Sequence, residues 1–360
     1  MDHSPLLDVH LSAGARLGDR PEAPGHSAPL TFGDVPAEWR AGAEGCALFD
    51  AADLGAVHLE GSEAAAFLHR LLANDVRALR PGAGNRNLLL TGKGKVRFDF
   101  HLAREAEDGF RLTAQPGRAA DLLTALDMYL FQDDVRCRDD SALVAPLELA
   151  GPRARACVEQ VLGSAAPDAA ESFVDVAWRS GTARVVATEV AGAPGLRVDA
   201  GPELAAALWE ALTGAGATPA GLVARDFLRI ECGRALTGVD LNDDIYPQEA
   251  GLDDAFSLDK GCYIGQEVVA KIDTYGGLNK RLLPLRVSHD DPIAPGTRLV
   301  LEDDGKARDL GVVTSWGYSF ALDGGLVLAY VKRRHQDEGT TFRLGESDAT
   351  ATIVAPPRAG

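Results

Sequence analysis

The sequence predicts an α+β protein that ends in a small antiparallel β-barrel. Amphipathic helical stripes alternate with strand-like runs as far as Cys232, whereas after Leu282 only short β-rich runs occur. A length of 360 residues exceeds what one hydrophobic core serves, so two or three domains are expected.

The first residues, MDHSPLLDVHLSAGARLGDRPEAPGHSAP, lack a basic start followed by an apolar run and read as a poorly ordered leader over 1–30. In SEAAAFLHRLLA, Ala64, Phe67, Leu68, Leu71 and Leu72 form the stripe of an amphipathic helix, with Ser62 as its cap. NLLLTGKGKVRFDFHL follows as two strands around a tight turn at Thr91–Gly94. In its second strand Val96, Phe98, Phe100 and Leu102 alternate with Arg97, Asp99 and His101, which gives one core face and one face bearing a cation, a carboxylate and an imidazole. Helices are expected at 119–130, 153–162, 203–212 and 222–232, and strands at 143–149, 183–190 and 196–198, an order consistent with ferredoxin-like units. LLPLRV, TRLVL, LGVVTSW, GLVLAYV, TTFRL and ATATIV supply the strands of the barrel.

Composition excludes several functions. The net charge of -17 argues against a nucleic-acid groove, which needs clustered Lys and Arg. The cysteines at 46, 137, 157, 232 and 262 are odd in number and scattered, which fits neither a disulfide framework nor a metal cluster and points to a reducing cytoplasm. No stretch is apolar for the roughly 18 residues of a membrane span. GAGN at Gly82 and GAGA at Gly214 lack the third glycine of a dinucleotide loop, no P-loop occurs, and GKGK at Gly92 is read as a hairpin turn. Neither G-x-S-x-G nor H-E-x-x-H is present. The acidic tract Asp240, Asp243, Asp244, Glu249, Asp253, Asp254 and Asp259 lacks the order of a calcium loop and reads as solvated.

Two places offer chemistry. On the helix 222–232, Arg225 and Arg229 share a face, and their simplest reading is solvated ion pairing. Glu231 lies in its last turn, where the helix dipole disfavours a carboxylate, a cost consistent with a ligand contact. In DKGCYIGQEV, Gly261 and Gly265 imply a sharp turn, and Lys260 stands two positions from Cys262, where a cation favours the thiolate. On residues alone, a buried inert thiol and a presented, lysine-tuned thiol both stay open for Cys262.

Three stretches, GCALFDAADLGAVHLEGSEAAAFLHRLLANDVRALRPG, GLVARDFLRIECGRALTGVDLNDDIYPQEAGL and LGVVTSWGYSFALDGGLVLAYV, resemble the glycine-cleavage T-protein (aminomethyltransferase) family and its YgfZ-type folate-binding relatives. DKGCYIGQE looks like the K-G-C-Y-x-G-Q-E signature of the YgfZ-type branch, filled at Lys260, Gly261, Cys262, Tyr263, Gly265, Gln266 and Glu267. Lys271 stands where that branch usually has arginine; it keeps the charge but not the bidentate fork. The resemblance implies a three-domain cloverleaf around a central opening for tetrahydrofolate, or a reduced one-carbon folate. Its domains would be an α+β domain split between 31–53 and 141–250, a second at 54–140, a signature segment at 251–281 and a barrel at 282–360. It implies Cys262 as the reactive thiol with Lys260 beside it, and Glu231, Arg229, Tyr263, Gln266 and Lys271 as folate-contacting residues. No resident metal is implied.

The function implied is folate-dependent assembly or repair of iron–sulfur clusters, with client or assembly proteins as partners. The alternative is a folate-dependent aminomethyl or one-carbon transferase with Asp99 as its acid–base group. Against that alternative, the T-protein pattern G-G-x-x-D-D is matched only by KGKVRFDF, in which Phe98 replaces one carboxylate.

Overall fold

A computed structural model describes residues 4–20, 23–303 and 306–358. Its centre is a six-stranded sheet in the order Phe173–Trp178, Gly181–Val190, Ala193–Ala200, Ala145–Ala150, Ala47–Asp50 and Thr218–Pro219, antiparallel except for its last pair. All six residues of Ala145–Ala150 are buried because both faces of the sheet are covered. Helices Ala154–Leu162 and Pro202–Gly214 cover one face through Val158, Leu208 and Leu212. Val35–Glu44 and Leu222–Glu231 cover the other through Trp39, Ala224 and Leu228. Gly42 allows these two helices to approach, since a Cβ there would lie 2.5 Å from Leu228 Cδ1.

Between the strands Ala47–Asp50 and Ala145–Ala150 the chain builds a five-stranded antiparallel sheet, ordered Gly84–Leu90, Val96–Ala106, Gly109–Ala114, Gly55–Glu60 and Arg136–Asp139. Helices Ala64–Leu71 and Ala119–Asp127 pack on one side of it, where Phe67, Phe100, Phe110 and Leu122 are wholly enclosed. The expected alternation along Val96–Ala106 is present, with Val96, Phe98, Phe100 and Leu102 buried in the core. Ser62 does not cap the first helix, which begins at Ala64; its hydroxyl donates to Asp134 Oδ2 at 2.7 Å.

Among its described residues the expected leader is structured: Leu7–Ser12 is a helix, and Arg16–Arg20 pairs antiparallel with Ala23–Thr31. The segment LLDVHLS places Leu6, Val9 and His10 on one side, and that side docks on the six-stranded sheet. His10 Nε2 meets Asp50 Oδ2 at 2.8 Å, and its ring stands edge-on to Trp209. A short amphipathic turn with a buried polar anchor carries too little periodicity to be read from sequence.

The C-terminal residues form a closed six-stranded antiparallel barrel, Lys280–Val287, Gly324–Lys332, Lys306–Ser319, Arg298–Asp303, Thr341–Leu344 and Thr350–Ile353. Leu285, Val313, Val327, Ala329 and Phe342 fill its interior. Ahead of it, part of the expected signature loop is a helix, Gln266–Tyr275. Its Val268, Val269 and Ile272 favour strands, so the helix depends on its ends: left-handed glycines at Gly265 and Gly276 delimit it.

The helix Leu222–Glu231 ties the sheets to the barrel. Arg229 donates to Asp240 Oδ2 at 2.7 Å and to Ser315 Oγ at 2.8 Å. Asp240 also accepts from Leu236 N, Ser315 Oγ and Thr314 Oγ1. Both residues of the pair are buried. Asp240→Ala would leave the buried Arg229 guanidinium with only the more exposed Asp226 as a carboxylate partner and strand the Leu236, Thr314 and Ser315 donors, so a loss of about 3 kcal/mol is expected. Urea unfolding followed by tryptophan fluorescence measures it; a change below about 1 kcal/mol would show that the pair is not a structural hub.

Candidate functional site

A cavity of about 110 Å³ lies where the two sheets and the helix Leu222–Glu231 meet. Five carboxylates line it, Asp99, Glu148, Glu171, Glu189 and Asp254, and five guanidiniums, Arg86, Arg197, Arg225, Arg229 and Arg234. In a chain of net charge -17 that balance concentrates arginine at one place. Three of these charges arise where a polar residue interrupts an apolar strand: Asp99 stands between Phe98 and Phe100, Glu148 between Leu147 and Leu149, and Arg197 between Leu196 and Val198. That interruption was the signal in the sequence, and at Glu148 and Arg197 it was not read as a site.

The deep charges are paired. Arg86 forks onto Asp99, with Nε donating to Oδ1 at 2.9 Å and Nη2 to Oδ2 at 2.7 Å. Burial alone would raise the Asp99 carboxyl; the Arg86 charge and its hydrogen bonds outweigh that and hold it below the ordinary carboxylate range. Asp99 is thus a fixed anion, poorly suited to accept a proton. Arg197 holds Asp199 at 2.7 Å, and Arg225 holds Glu148 at 2.8 Å. Glu189 and Arg234, 2.8 Å apart, are more open, with side chains 31% and 40% exposed.

His101, two residues beyond Asp99 on the same strand face, places Nδ1 2.8 Å from Glu171 Oε2. Burial works to lower its pKa, but the Glu171 charge and hydrogen bond dominate and raise it above the ordinary histidine value. His101 is therefore shifted toward its protonated form by Glu171 inside the cavity, and it was not singled out as a site residue from the sequence.

The predicted site residues divide between two places. Asp99 and Arg229 line the cavity. Arg229, however, spends its guanidinium on Asp226, Asp240, Ser315 and the Arg234 carbonyl. Glu231 lies behind the wall, fully buried, accepting from Trp39 Nε1 at 3.0 Å, Ser319 Oγ at 2.7 Å and Ala321 N at 3.0 Å. Its carboxylate is saturated by protein donors, which corrects the expectation that it meets a ligand.

Cys262, Lys260, Tyr263, Gln266 and Lys271 belong to the signature segment. Cys262 is exposed, in a turn where Gly261 and Gly265 have φ of 100° and 81°. Cys46 and Cys157 are buried, and burial pushes the Cys137 thiol up to about 11. The turn is braced against the helix Ala64–Leu71: Lys260 Nζ donates to the His69 carbonyl, and His69 Nε2 donates to the Lys260 carbonyl at 2.9 Å. Burial brings the Lys260 ammonium down to about 8; Arg77 adds to the effect, while Asp75 and Cys262 oppose it. Tyr263 faces the core rather than a ligand, with its hydroxyl unpartnered and Lys260 Nζ 5.1 Å from its ring centroid. Lys271 points outward and pairs with Glu267 at 2.6 Å one helical turn away, so it does not reach the thiol. Turn and cavity are linked through one hairpin: a Cβ at Gly265 would lie 2.6 Å from Thr91 O and 2.8 Å from Gly94 Cα, and the strand that follows carries Asp99 and His101.

Among the described residues no helix is long and apolar enough to cross a membrane, and no group of His, Cys, Asp and Glu is arranged to hold a metal ion. Residues 6–260 match the family described as GCVT N-terminal domain, and residues 280–358 the glycine cleavage T-protein C-terminal barrel domain. An aminomethyltransferase of Rubrobacter xylanophilus is 32% identical, covering 98% of this chain and 93% of its own length. One of Nitrosococcus oceani is 31% identical, covering 99% and 94%. The crystal structure of glycine cleavage system aminomethyltransferase T from Bartonella henselae superposes with a TM-score of 0.87 at 26% identity, covering 99% of this chain and 97% of that one.

Two measurements check the electrostatics. A raised His101 pKa stabilises the fold below the unfolded value of about 6.5 and ceases to do so as pH rises through the folded value. The Tm difference between wild type and His101→Gln should therefore be largest near pH 6 and shrink by pH 9; a pH-independent difference would exclude a charged His101. Lys260 is an ammonium only below about pH 8. Iodoacetamide should alkylate Cys262 several-fold faster in wild type than in Lys260→Met below that pH, with the ratio approaching one above it. Equal rates at pH 7 would remove Lys260 from the thiol's environment.

Proposed function

This chain belongs to the glycine-cleavage T-protein family, and we propose that it binds a reduced folate in the central cavity and acts on the one-carbon group the folate carries. The observation that carries the reading is the cavity itself, which concentrates carboxylates and guanidiniums in an otherwise acidic protein. A pterin presents an amino group and a ring N–H along one edge, which a carboxylate accepts as two parallel hydrogen bonds, and the glutamate tail presents carboxylates that suit guanidiniums. Glu189 and Arg234, paired but half exposed at the rim, can exchange each other for these groups at small cost. Asp99 fixes the local field as an anion, and His101, which lines the cavity and is oriented by Glu171, is the imidazole placed there to give or take a proton. The aminomethyltransferase names of the relatives support group transfer more than cluster maturation.

A specific observation favours a second reading. Cys262 is exposed on a turn braced by His69 and Lys260, while Asp99 is held in its pair with Arg86. In that reading folate binding serves the assembly or repair of iron–sulfur clusters in client proteins, with Cys262 as the contacting thiol. One thiol does not hold a cluster alone, so the contact would be transient and shared with a partner.

Calorimetry with tetrahydrofolate tests the shared premise: Glu189→Gln with Arg234→Gln should weaken binding by about tenfold or more. No binding to wild type would sink both readings. Aminomethyl transfer to tetrahydrofolate that falls in His101→Gln upholds the first; its absence, together with lowered activity of iron–sulfur enzymes in cells carrying Cys262→Ser, upholds the second.

A further inference from the structure

On the outer side of the strand Val96–Ala106 a second recess of about 300 Å³ opens, lined by Arg97, Phe98, Arg118, Asp121, Thr237 and Asp243 among others. A neck-like void of about 10 Å³ lies between it and the central cavity. Phe98, Arg118 and Thr237 line both recess and neck, and Asp99, Gln115 and Thr237 line both neck and cavity.

Two guanidiniums converge there on one apolar ring, Arg118 Cζ 4.9 Å and Arg97 Cζ 5.7 Å from the centroid of Phe98. Arg97 has neither hydrogen bond nor carboxylate partner among the described residues. Arg118 Nε is buried without a hydrogen bond; its nearest carboxylate, Asp121, lies 3.4 Å away and is largely exposed. Elsewhere around the cavity arginines are matched to carboxylates at 2.7–2.8 Å. In a chain of net charge -17, two under-used guanidiniums facing one concavity are the exception. Such a pair suits an oxyanion, which accepts from both forks, while the phenyl face takes an apolar body.

We propose that this recess is a binding subsite for an oxyanion, a carboxylate or phosphate group, held between Arg97 and Arg118, with the rest of its molecule passing Phe98 and Thr237 toward the central cavity. The group belongs either to the tail of a folate or to a separate small anionic molecule. The subsite does not rest on the folate reading, because simple anions probe it directly.

Inorganic phosphate and succinate, titrated at constant ionic strength against potassium chloride, test it by calorimetry and thermal shift. Wild type should show saturable binding, Arg97→Gln and Arg118→Gln about tenfold weaker binding each, and the double variant none, whereas Arg136→Gln on the far strand of the sheet should match wild type. Phosphate and succinate acting no differently from chloride, or binding undiminished in the double variant, would overturn the proposal. Tetrahydrofolate and tail-less tetrahydropteroate then separate the sources. Weakening of the first alone in the double variant assigns the oxyanion to the folate tail. No weakening of either, with phosphate or succinate binding lost, assigns it to a separate molecule. Equal weakening of both would mean a distorted cavity and would overturn the subsite.

Discussion

The pairing of Arg229 with Asp240 is the constraint from which the rest of the molecule is arranged. Arg229 comes from a helix packed on the six-stranded sheet, and Asp240 from the connection that follows it. The hydroxyls of Thr314 and Ser315, which complete the cluster, come from the barrel. Tyr330, on the neighbouring barrel strand, donates to the Asp240 carbonyl at 3.0 Å. A buried ion pair is tolerated only when its remaining hydrogen-bonding capacity is met, and here each unit supplies part of that capacity. Two residues further along the helix, Glu231 repeats the arrangement with Trp39 of one helix and Ser319 of the barrel. The last helical turn thus holds two buried charges in place of the apolar residues its position would suit, and what it gains is a fixed orientation between sheet and barrel.

That orientation explains how a cavity can be lined by five guanidiniums and five carboxylates without collapsing or flooding. Each deep charge is held by a partner on the same or an adjoining element, as Arg86 is by Asp99 and Arg225 by Glu148. The cavity is polar before any ligand arrives, so little reorganisation is needed when one does. Pairs at the rim, such as Glu189 with Arg234, have less to lose by changing partners than pairs at the bottom. Specificity for a charged ligand is therefore expected from the rim inward, with the buried pairs acting as scaffold.

Much of this was legible in the residues. The alternation of Val96, Phe98, Phe100 and Leu102 with Arg97, Asp99 and His101 correctly gave a strand with a core face and a polar face, because strand periodicity is a local property. The β-rich texture after Leu282 likewise gave the barrel. The turn at Gly261 and Gly265 followed from glycine alone, and both glycines have positive φ. What was not legible depends on long-range pairing. Whether Glu231 faces a ligand or Trp39 is decided by a residue 192 positions away. The helix dipole argument identified an unfavourable placement correctly but could not say what offset it. The same holds for the helix at Leu7, whose stability lies in contacts with Asp50 and Trp209.

The separation of Cys262 from the cavity is itself informative. The thiol turn and the polar strand face meet at a contact between glycines, where Gly265 rests on Thr91 O and Gly94 Cα with no space for a side chain. Backbone packed on backbone has few alternative arrangements, since any shift meets hard-sphere contact rather than a rotamer that can turn. Lys260 and His69 brace the other side of the turn by exchanging hydrogen bonds with each other's carbonyls. The position of Cys262 is consequently fixed by the same hairpin that sets Asp99 and His101. A substitution at Gly94 or Gly265 would disturb thiol and cavity together, whereas one at Cys262, exposed at the tip, leaves the cavity wall intact.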